Sequence, residues 1–379
     1  MVGLVAFFVI FHVAGGWYFS SQIRSDALLV DEHSFNYDIA VLSWNETTIT
    51  FDVGSDPSED LLSDEVLGVA LADGYGQVGK VVELDGNSIT RTYTHLTGET
   101  PMPGDLVDLE GFAYPPDPGV LGVEFSTVSY SSPFGEFPAW LVDGDSSTWA
   151  IFVHGRGVHM REGLRILPTL VEAGMPTMMI SYRNDEASPQ TEDRLARFGA
   201  TEWEDLEGAV EYALDHGASE VVLVGFSMGG AISMAFLERS PLAASVSAVI
   251  FDSPALDVAG MVEARAADTD IIPGVPIKVP ASLTAAAKVF ADIRFDVTWW
   301  LVDYPSHPNV VGVPILLIHG DDDGSVPVDQ SISFFESLGE VARLELFPGA
   351  GHVRSWNVDR DRYQRVVAEF LADILLPPS

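Results

Sequence analysis

The segment that most constrains this chain is a sharp turn between a predicted buried strand and a predicted helix. Residues 220–224, Glu-Val-Val-Leu-Val, predict the strand, and residues 231–239 predict the helix. Between them, residues 225–230 are Gly-Phe-Ser-Met-Gly-Gly. A strand that reverses directly into a helix needs glycines on both sides of the turn, because a Cβ there collides with neighbouring backbone. The turn therefore holds Ser227 above the edge of the sheet, where it is a candidate nucleophile.

Two later segments contain the partners that a serine nucleophile needs. Serine is weakly nucleophilic until a base takes its proton, and an acid in turn orients that base. Aspartates 321–323 follow a predicted strand at residues 314–318, and His352 follows another at residues 342–347. The carboxyl ends of parallel strands share one edge of a sheet, which is where sites form in α/β proteins. The order serine, aspartate, histidine therefore predicts one catalytic constellation at that edge.

These segments make the chain similar to the α/β-hydrolase superfamily. The resemblance rests on residues 225–230, 319–327 and 349–352, together with His-Gly-Arg-Gly at residues 154–157 after the strand at 150–153. The nearest branch holds serine aminopeptidase-like and prolyl-oligopeptidase-like hydrolases and small membrane-anchored esterases. The fold that the resemblance implies is a mostly parallel sheet flanked by helices, and the alternation of strand and helix patterns after residue 123 agrees with it.

The resemblance also implies roles for individual residues. Ser227 is the nucleophile and His352 the general base. The family pattern H-G-x-x-D-x-x-V-P assigns the acid to Asp323. Asp252, at the end of the strand over residues 247–251, is the alternative, because some members of the fold place the acid there.

Substrate contacts are predicted from the same edge of the sheet. The backbone N–H groups of Met228 and Arg156 would form the oxyanion hole, where each donor contributes about 3 kcal/mol. Arg156 and two further arginines follow strands at this edge and are candidates to bind an acidic group of the substrate, with ion pairs to nearby carboxylates as the alternative. Paired tryptophans are candidates to line an acyl pocket, with packing of the lid onto the core as the alternative. The two further arginines are Arg161 and Arg183, and the tryptophans are Trp299 and Trp300.

Composition excludes several classes of partner and chemistry. The net charge of −37 argues against a nucleic-acid partner. The chain has no cysteine, which excludes disulfides, a thiol nucleophile and thiolate metal sites. It contains neither a glycine-rich phosphate loop nor an H-E-x-x-H zinc motif. We expect no cofactor and no metal.

The N-terminus is strongly apolar over residues 2–19, close to the roughly 20 residues that span a bilayer. Trp17 and Tyr18 are placed as interfacial aromatics. Residues 1–24 are therefore predicted to be a membrane anchor, with a cleaved signal as the alternative. The protein is expected to be membrane-anchored with an extracytoplasmic catalytic domain, or secreted.

The remainder divides into two predicted domains. Residues 33–119 show alternating apolar patterns and a hairpin turn at residues 85–87, so they predict a small β-rich accessory domain. Residues 120–379 form the predicted catalytic domain. Residues 257–311 interrupt its strand–helix alternation and predict a short lid insertion.

The predicted activity is that of a serine hydrolase cleaving small carboxylic esters through an acyl-enzyme on Ser227. An aminopeptidase-like serine peptidase is the alternative enzyme. A catalytically inactive, anchored binding module is the alternative from another class, and the complete set of catalytic residue types argues against it.

Overall fold

The chain folds into an N-terminal helix, a β-barrel and a large α/β sheet. The computed structural model describes residues 2–375 except 31–33, 55–56, 115–116, 273–274 and 307–311. Helix α1 spans Val2–Ile23 and continues as a π-helical turn, Arg24–Leu28.

Six antiparallel strands close into the barrel. The strands are β1 Ile39–Trp44, β2 Thr48–Asp52, β3 Leu67–Ala70, β4 Gly74–Asp85, β5 Ser88–Gly98 and β6 Leu106–Glu110, and the short helix α2, Glu59–Leu62, lies between β2 and β3. Their spatial order is β1-β2-β5-β4-β3-β6. Alternate side chains such as Ile49, Phe51, Ile89 and Val107 fill the interior and are fully buried. The predicted β-rich region is confirmed, and the predicted hairpin joins β4 to β5.

The C-terminal part of the chain forms an eight-stranded sheet. Its strands are β7 Ser126–Ser132, β8 Gly135–Val142, β9 Thr148–Val153, β10 Thr177–Ile180, β11 Glu220–Phe226, β12 Val246–Asp252, β15 Ile315–Gly320 and β16 Ala342–Phe347. The spatial order is β7-β8-β10-β9-β11-β12-β15-β16. The six strands from β10 to β16 in this order run parallel, whereas β8 is antiparallel to both of its neighbours.

Helices cover both faces of this sheet. They are α3 Leu167–Glu172, α4 Trp203–Asp215, α5 Met228–Arg239, α8 Val328–Leu338, α9 Ser355–Val358 and α10 Arg360–Leu375. The central strands are apolar on both faces: Ile151 and Val153 point into one core cluster, and Ala150 and Phe152 into the other. Burial on both faces is why these strands are continuous apolar runs without alternation.

The insertion between β12 and β15 contains two helices and a short hairpin. They are helix α6 Val258–Asp268, strands β13 Asp270–Ile272 and β14 Val275–Lys278, and helix α7 Ala281–Phe295. The end of the predicted insertion, residues 307–311, lies outside the described residues.

Helix α1 packs along α7. A Cβ on Gly15 would lie 2.7 Å from a methyl carbon of Leu283, so the glycine allows a close helix contact. Farther along the same segment, Ile23 and Leu28 are buried in the core cluster of the α/β sheet. Ile23, which the sequence predicts to lie in an N-terminal anchor outside both domains, therefore belongs to the core of the α/β sheet.

The predicted membrane span over residues 2–19 is not supported. Among the residues that the structure describes, no helix combines the length and the apolar character that crossing a bilayer requires. Where the protein resides in the cell stays a prediction.

Candidate active site

Ser227 occupies the predicted turn between β11 and α5 in a strained conformation. Its φ and ψ angles are 51° and −117°, a region that costs a non-glycine residue on the order of 1–3 kcal/mol. Its backbone N–H donates to the carbonyl oxygen of Asp252 over 2.9 Å, which ties the turn to strand β12. A Cβ on Gly229 would overlap the carbonyl oxygen of Val153, and one on Gly225 would lie 2.6 Å from that of Gly229. The two glycines are therefore what permits this turn.

The structure brings the three predicted catalytic side chains together. The Ser227 hydroxyl donates to Nε2 of His352 over 2.9 Å, and Nδ1–H of His352 donates to Oδ2 of Asp323 over 2.7 Å. Asp323 lies in the loop after β15 and His352 in the loop after β16. The His352 side chain is 26% exposed, so its ring is accessible from the cavity, while the Asp323 side chain is fully buried.

Asp323 is held as an ionised carboxylate. Its Oδ1 accepts from the backbone N–H groups of Ser325 and Val326, each over 2.8 Å. Its Oδ2 lies 3.2 Å from Nε2 of His319 in addition to its bond with His352. Burial alone raises the pKa of Asp323, but the hydrogen bonds from His319 and His352 outweigh it, and the pKa lies well below its usual range. A carboxylate in this state keeps the Nδ1 proton on His352.

Asp252, the alternative acid, lies at the end of β12 and is 1% exposed. Burial raises its pKa to about 6, against the opposing effect of the Arg165 guanidinium. Its carboxylate does not take the place that Asp323 occupies against His352. The geometry therefore favours Asp323 as the orienting acid.

The loop after β9 carries the predicted oxyanion turn and is held by buried hydrogen bonds. The N–H of Gly155 donates to Oε2 of Glu162 over 2.8 Å. The hydroxyl of Tyr182 donates to the carbonyl oxygens of His154 and Gly155 over 3.0 and 2.9 Å. The His154 ring stacks on Tyr182 at 4.4 Å and binds Oδ2 of Asp185 over 2.8 Å. This network orients the backbone that follows toward Ser227.

The predicted oxyanion donors, the N–H groups of Met228 and Arg156, belong to two segments that meet at Ser227. Met228 is the first residue of helix α5, and the first N–H groups of a helix have no partner within it. A Cβ built on Gly155 would lie 3.2 Å from Cβ of Ser227, so the turn that leads into Arg156 closely approaches the nucleophile. The guanidinium of Arg156 donates to the carbonyl oxygens of Asp26 and Leu29, in the segment after α1.

Arg161 and Arg183 lie away from the nucleophile. Arg161 is buried, bonds to Glu110 of the barrel, and stacks over the Phe112 ring at 4.9 Å. Arg183 forms a two-pronged ion pair with Asp205 over 2.7 and 2.8 Å. Neither side chain lines the cavity beside Ser227. Both arginines therefore form structural ion pairs, which is the alternative interpretation of their sequence positions.

Neither predicted tryptophan lines the cavity either. Trp299 packs against the core and donates its indole N–H to the carbonyl oxygen of Lys288 over 3.1 Å. Trp300 is 67% exposed. The adjacent positions place the two rings in different surroundings because residues 299–302 form a short 3₁₀ turn.

A cavity of about 750 Å³ opens beside the catalytic side chains. Ser227, His352 and Arg156 lie on its catalytic side. Helices α6 and α7 form much of the remaining wall. Its size is within the roughly 300–1,000 Å³ of small-molecule sites.

Several supporting residues were not predicted from the sequence. His319 was recognised only as part of a motif, and Glu162 and Tyr182 were given no role at the oxyanion turn. A buried glutamate that accepts from a backbone N–H seven residues earlier carries no pattern in a single sequence. Within the described part of the chain, no group of three or more metal-ligating side chains is arranged to hold a metal ion.

Comparison with known proteins agrees with this architecture. The chain is 24% identical to the uncharacterized protein YfhR of Escherichia coli K12 over 266 residues, which is 69% of this chain and 83% of that protein. Esterase Pf2001 of Pyrococcus furiosus superposes with a TM-score of 0.53 at 20% identity, covering 69% of this chain and 95% of the esterase. The α/β hydrolase GrgF of a Penicillium species gives a TM-score of 0.50 at 19% identity, covering 67% and 99%. These two structures share the fold.

The sequence pattern of the alpha/beta hydrolase family matches residues 150–369. This range holds Ser227, Asp323 and His352 and more than half of the chain. The protein belongs to the alpha/beta hydrolase family.

Proposed function

We propose that this protein is a serine hydrolase that cleaves carboxylic esters through an acyl-enzyme on Ser227. The observation that carries the proposal is the continuous hydrogen-bond chain from Ser227 Oγ through His352 to Asp323, with links of 2.9 and 2.7 Å. Such a chain serves to generate a nucleophilic oxygen and to return its proton.

The reaction follows from these contacts. Ser227 Oγ attacks the ester carbonyl as its proton passes to Nε2 of His352. Negative charge then develops on the carbonyl oxygen, where the N–H groups of Met228 and Arg156 donate to it. Collapse of this intermediate breaks the ester C–O bond, and His352 gives its proton to the departing alkoxide. His352 then takes a proton from water as the water oxygen attacks the acyl carbon. The bond between the acyl carbon and Ser227 Oγ breaks, His352 returns the proton to Ser227, and a carboxylic acid leaves.

The insertion carrying α6 and α7 is proposed to act as the lid of this site. It contributes Val258, Met261 and Ala287 to the cavity beside Ser227. A cover of this kind excludes water from the charge that develops at the carbonyl oxygen, which strengthens the oxyanion hydrogen bonds.

The test is the reaction of Ser227 with substrates and with a covalent probe. Wild-type protein is expected to hydrolyse p-nitrophenyl esters faster than aminoacyl anilides and to be labelled by a fluorophosphonate. Ser227→Ala is expected to lower kcat on the order of 10⁴-fold or more and to abolish labelling. Ser233→Ala, a buried serine whose hydroxyl bonds within α5, is the matched control and keeps both activities. Faster cleavage of anilides would favour the peptidase, and unlabelled wild-type protein would reject the proposal.

A further inference from the structure

We propose that the cavity beside Ser227 binds an uncharged, apolar acyl group and that helix α1 supplies one wall of this acyl-binding site. The inference rests on the proposed hydrolase function and adds its substrate class. Helix α1 precedes residues 150–369, so the family pattern does not contain this wall.

The wall consists of side chains from the C-terminal half of α1 and the turn after it. Phe19, Ile23 and Ala27 line the cavity that also contains Ser227 and His352. Phe19 and Ile23 are one turn of helix apart and therefore share a face. Ile23 is only 9% exposed and belongs to the core cluster of the catalytic domain, so this side of the cavity is part of the folded body.

Helices α6 and α7 add further apolar side chains to the lining. Val258 and Val262 of α6 and Ala287 of α7 line the cavity and are nearly or fully buried, and Met261 lines it as well. A hydrocarbon chain bound against α1 and these helices loses its contact with water. Each methylene buried in this way is worth roughly a fourfold gain in binding.

Close contacts hold α1 in this position. A Cβ on Gly16 would lie 2.8 Å from the ring of Phe290, so the glycine lets the helices touch. The Arg294 guanidinium of α7 lies 3.8 Å from the centre of the Trp17 ring and donates to the Trp17 carbonyl and the Ser20 hydroxyl over 2.9 and 2.6 Å. The wall is thus fixed before a substrate arrives, and no ordering of α1 is needed on binding.

The charges around the cavity disfavour an acidic acyl group. The lining contains more carboxylates than guanidinium groups, even with Asp270 paired to Lys278 over 3.1 Å: Asp26, Asp268, Asp270, Asp323, Arg156 and Arg265. The Arg156 guanidinium already donates to two backbone carbonyls, and Arg161 and Arg183 lie elsewhere. A free carboxylate on the acyl group would therefore meet net negative charge. Of the two sequence-based interpretations of these arginines, recognition of an acidic substrate and ion pairing with nearby carboxylates, the surroundings of Arg161 and Arg183 favour the second.

The experiment compares acyl groups on the full-length protein. Values of kcat/KM, divided by the rates of hydroxide-catalysed hydrolysis, are measured for p-nitrophenyl acetate, butyrate, octanoate and hemisuccinate. Wild-type protein is expected to favour octanoate over acetate at least tenfold and butyrate over hemisuccinate at least tenfold. Phe19→Ala is expected to lower the octanoate value about tenfold and to leave acetate within twofold. The matched control is Phe7→Ala on the same helix, 68% exposed, which changes neither value.

Labelling with ethyl and octyl fluorophosphonates distinguishes failure of the proposed acyl-binding site from failure of the proposed hydrolase activity. Faster labelling of Ser227 by the octyl probe, lost in Phe19→Ala, supports the acyl-binding site. Equal labelling by both probes, a preference for hemisuccinate, or an equal loss for every ester in Phe19→Ala would overturn it while leaving the hydrolase intact. Absence of labelling by either probe would reject the hydrolase and the acyl-binding site together.

Discussion

Two buried aspartates follow neighbouring strands of the sheet, Asp252 as the last residue of β12 and Asp323 in the loop after β15, and their surroundings favour opposite charge states. Asp323 accepts hydrogen bonds from two backbone N–H groups and from His352, so burial does not neutralise it. Asp252 is 1% exposed, and burial raises its pKa to about 6. Replacing the carboxylate with an amide should therefore affect activity and stability differently at the two positions.

We expect Asp323→Asn to lower kcat about 10⁴-fold, because an amide favours the wrong tautomer of His352. Asp252→Asn should leave kcat within a few-fold. Asp252→Asn should also raise the free energy of unfolding at neutral pH by on the order of 2–3 kcal/mol. At that pH the buried carboxylate of the wild-type protein is ionised at about this cost to the folded state, and the uncharged amide avoids the cost.

The sign of the pH effect follows from the raised pKa. The folded state holds the Asp252 proton more tightly than the unfolded state, so the contribution of this group to stability is full below about pH 4 and declines as the pH rises through about 6. Urea unfolding at several pH values measures the difference between wild type and Asp252→Asn. A difference that does not grow between pH 4 and pH 7, or a larger loss of kcat in Asp252→Asn than in Asp323→Asn, would contradict this assignment.

At the scale of elements, helix α1 combines two surfaces of different character. One surface packs on α7 and reaches the catalytic cavity, and the other leaves Phe7, Phe8 and Ile10 mostly exposed. The apolar sequence therefore predicted a helix without indicating which of its side chains would be buried in the catalytic domain.

We expect Leu28→Ala, at the end of the segment that follows α1, to lower the free energy of unfolding by about 2–5 kcal/mol. Leu28 is 1% exposed in the catalytic core, so its truncation leaves a cavity there. Leu62→Ala is the matched control, because that leucine is 45% exposed, and it should change stability by about 0.5 kcal/mol or less. Chemical denaturation measures both. Equal effects would show that the N-terminal segment does not belong to the core.

Much of the α/β sheet could be predicted because its strands are uninterrupted apolar runs that end in recognisable turns. The elbow at Ser227 and the positions of Asp323 and His352 depend on short-range geometry, and glycine and aspartate spacing expresses that geometry in the sequence. The closed barrel was predicted only as a β-rich region, since β3 and β6 are short and their pairing is non-local. The partners of Arg161 and Arg183 depend on residues brought together by the fold, so spacing along the chain did not reveal them.

At the scale of the whole molecule, a buried ion pair joins the barrel to the catalytic domain. Arg161, directly after the oxyanion loop, bonds to Glu110 at the end of β6, and Tyr75 of the barrel donates to the same carboxylate. Burial, followed by the charge of Glu110, raises the pKa of Tyr75 far above its ordinary value, so its hydroxyl stays a donor. The barrel thereby contacts the loop that carries Glu162 and supports Gly155.

We expect Arg161→Met to destabilise the protein by about 3–5 kcal/mol, because it leaves the Glu110 carboxylate buried without its cation. The control is Arg343→Met, which removes an arginine paired with Glu345 over 3.0 Å but 37% exposed, and it should cost about 1 kcal/mol or less. Addition of Glu110→Gln to Arg161→Met should recover part of the loss. Thermal unfolding measures all three variants. A similar change in both single variants would mean that the two domains do not depend on this contact.

The acidic lining of the cavity also bears on how a catalytic cycle ends. The chain carries a net charge of −37, and Asp26, Asp268 and Asp270 add carboxylates to the walls around the site. Under the proposed reaction a neutral ester enters and a carboxylate leaves, so the negative potential repels the carboxylate product but not the ester substrate. This repulsion would speed product release and limit product inhibition, most strongly at low ionic strength.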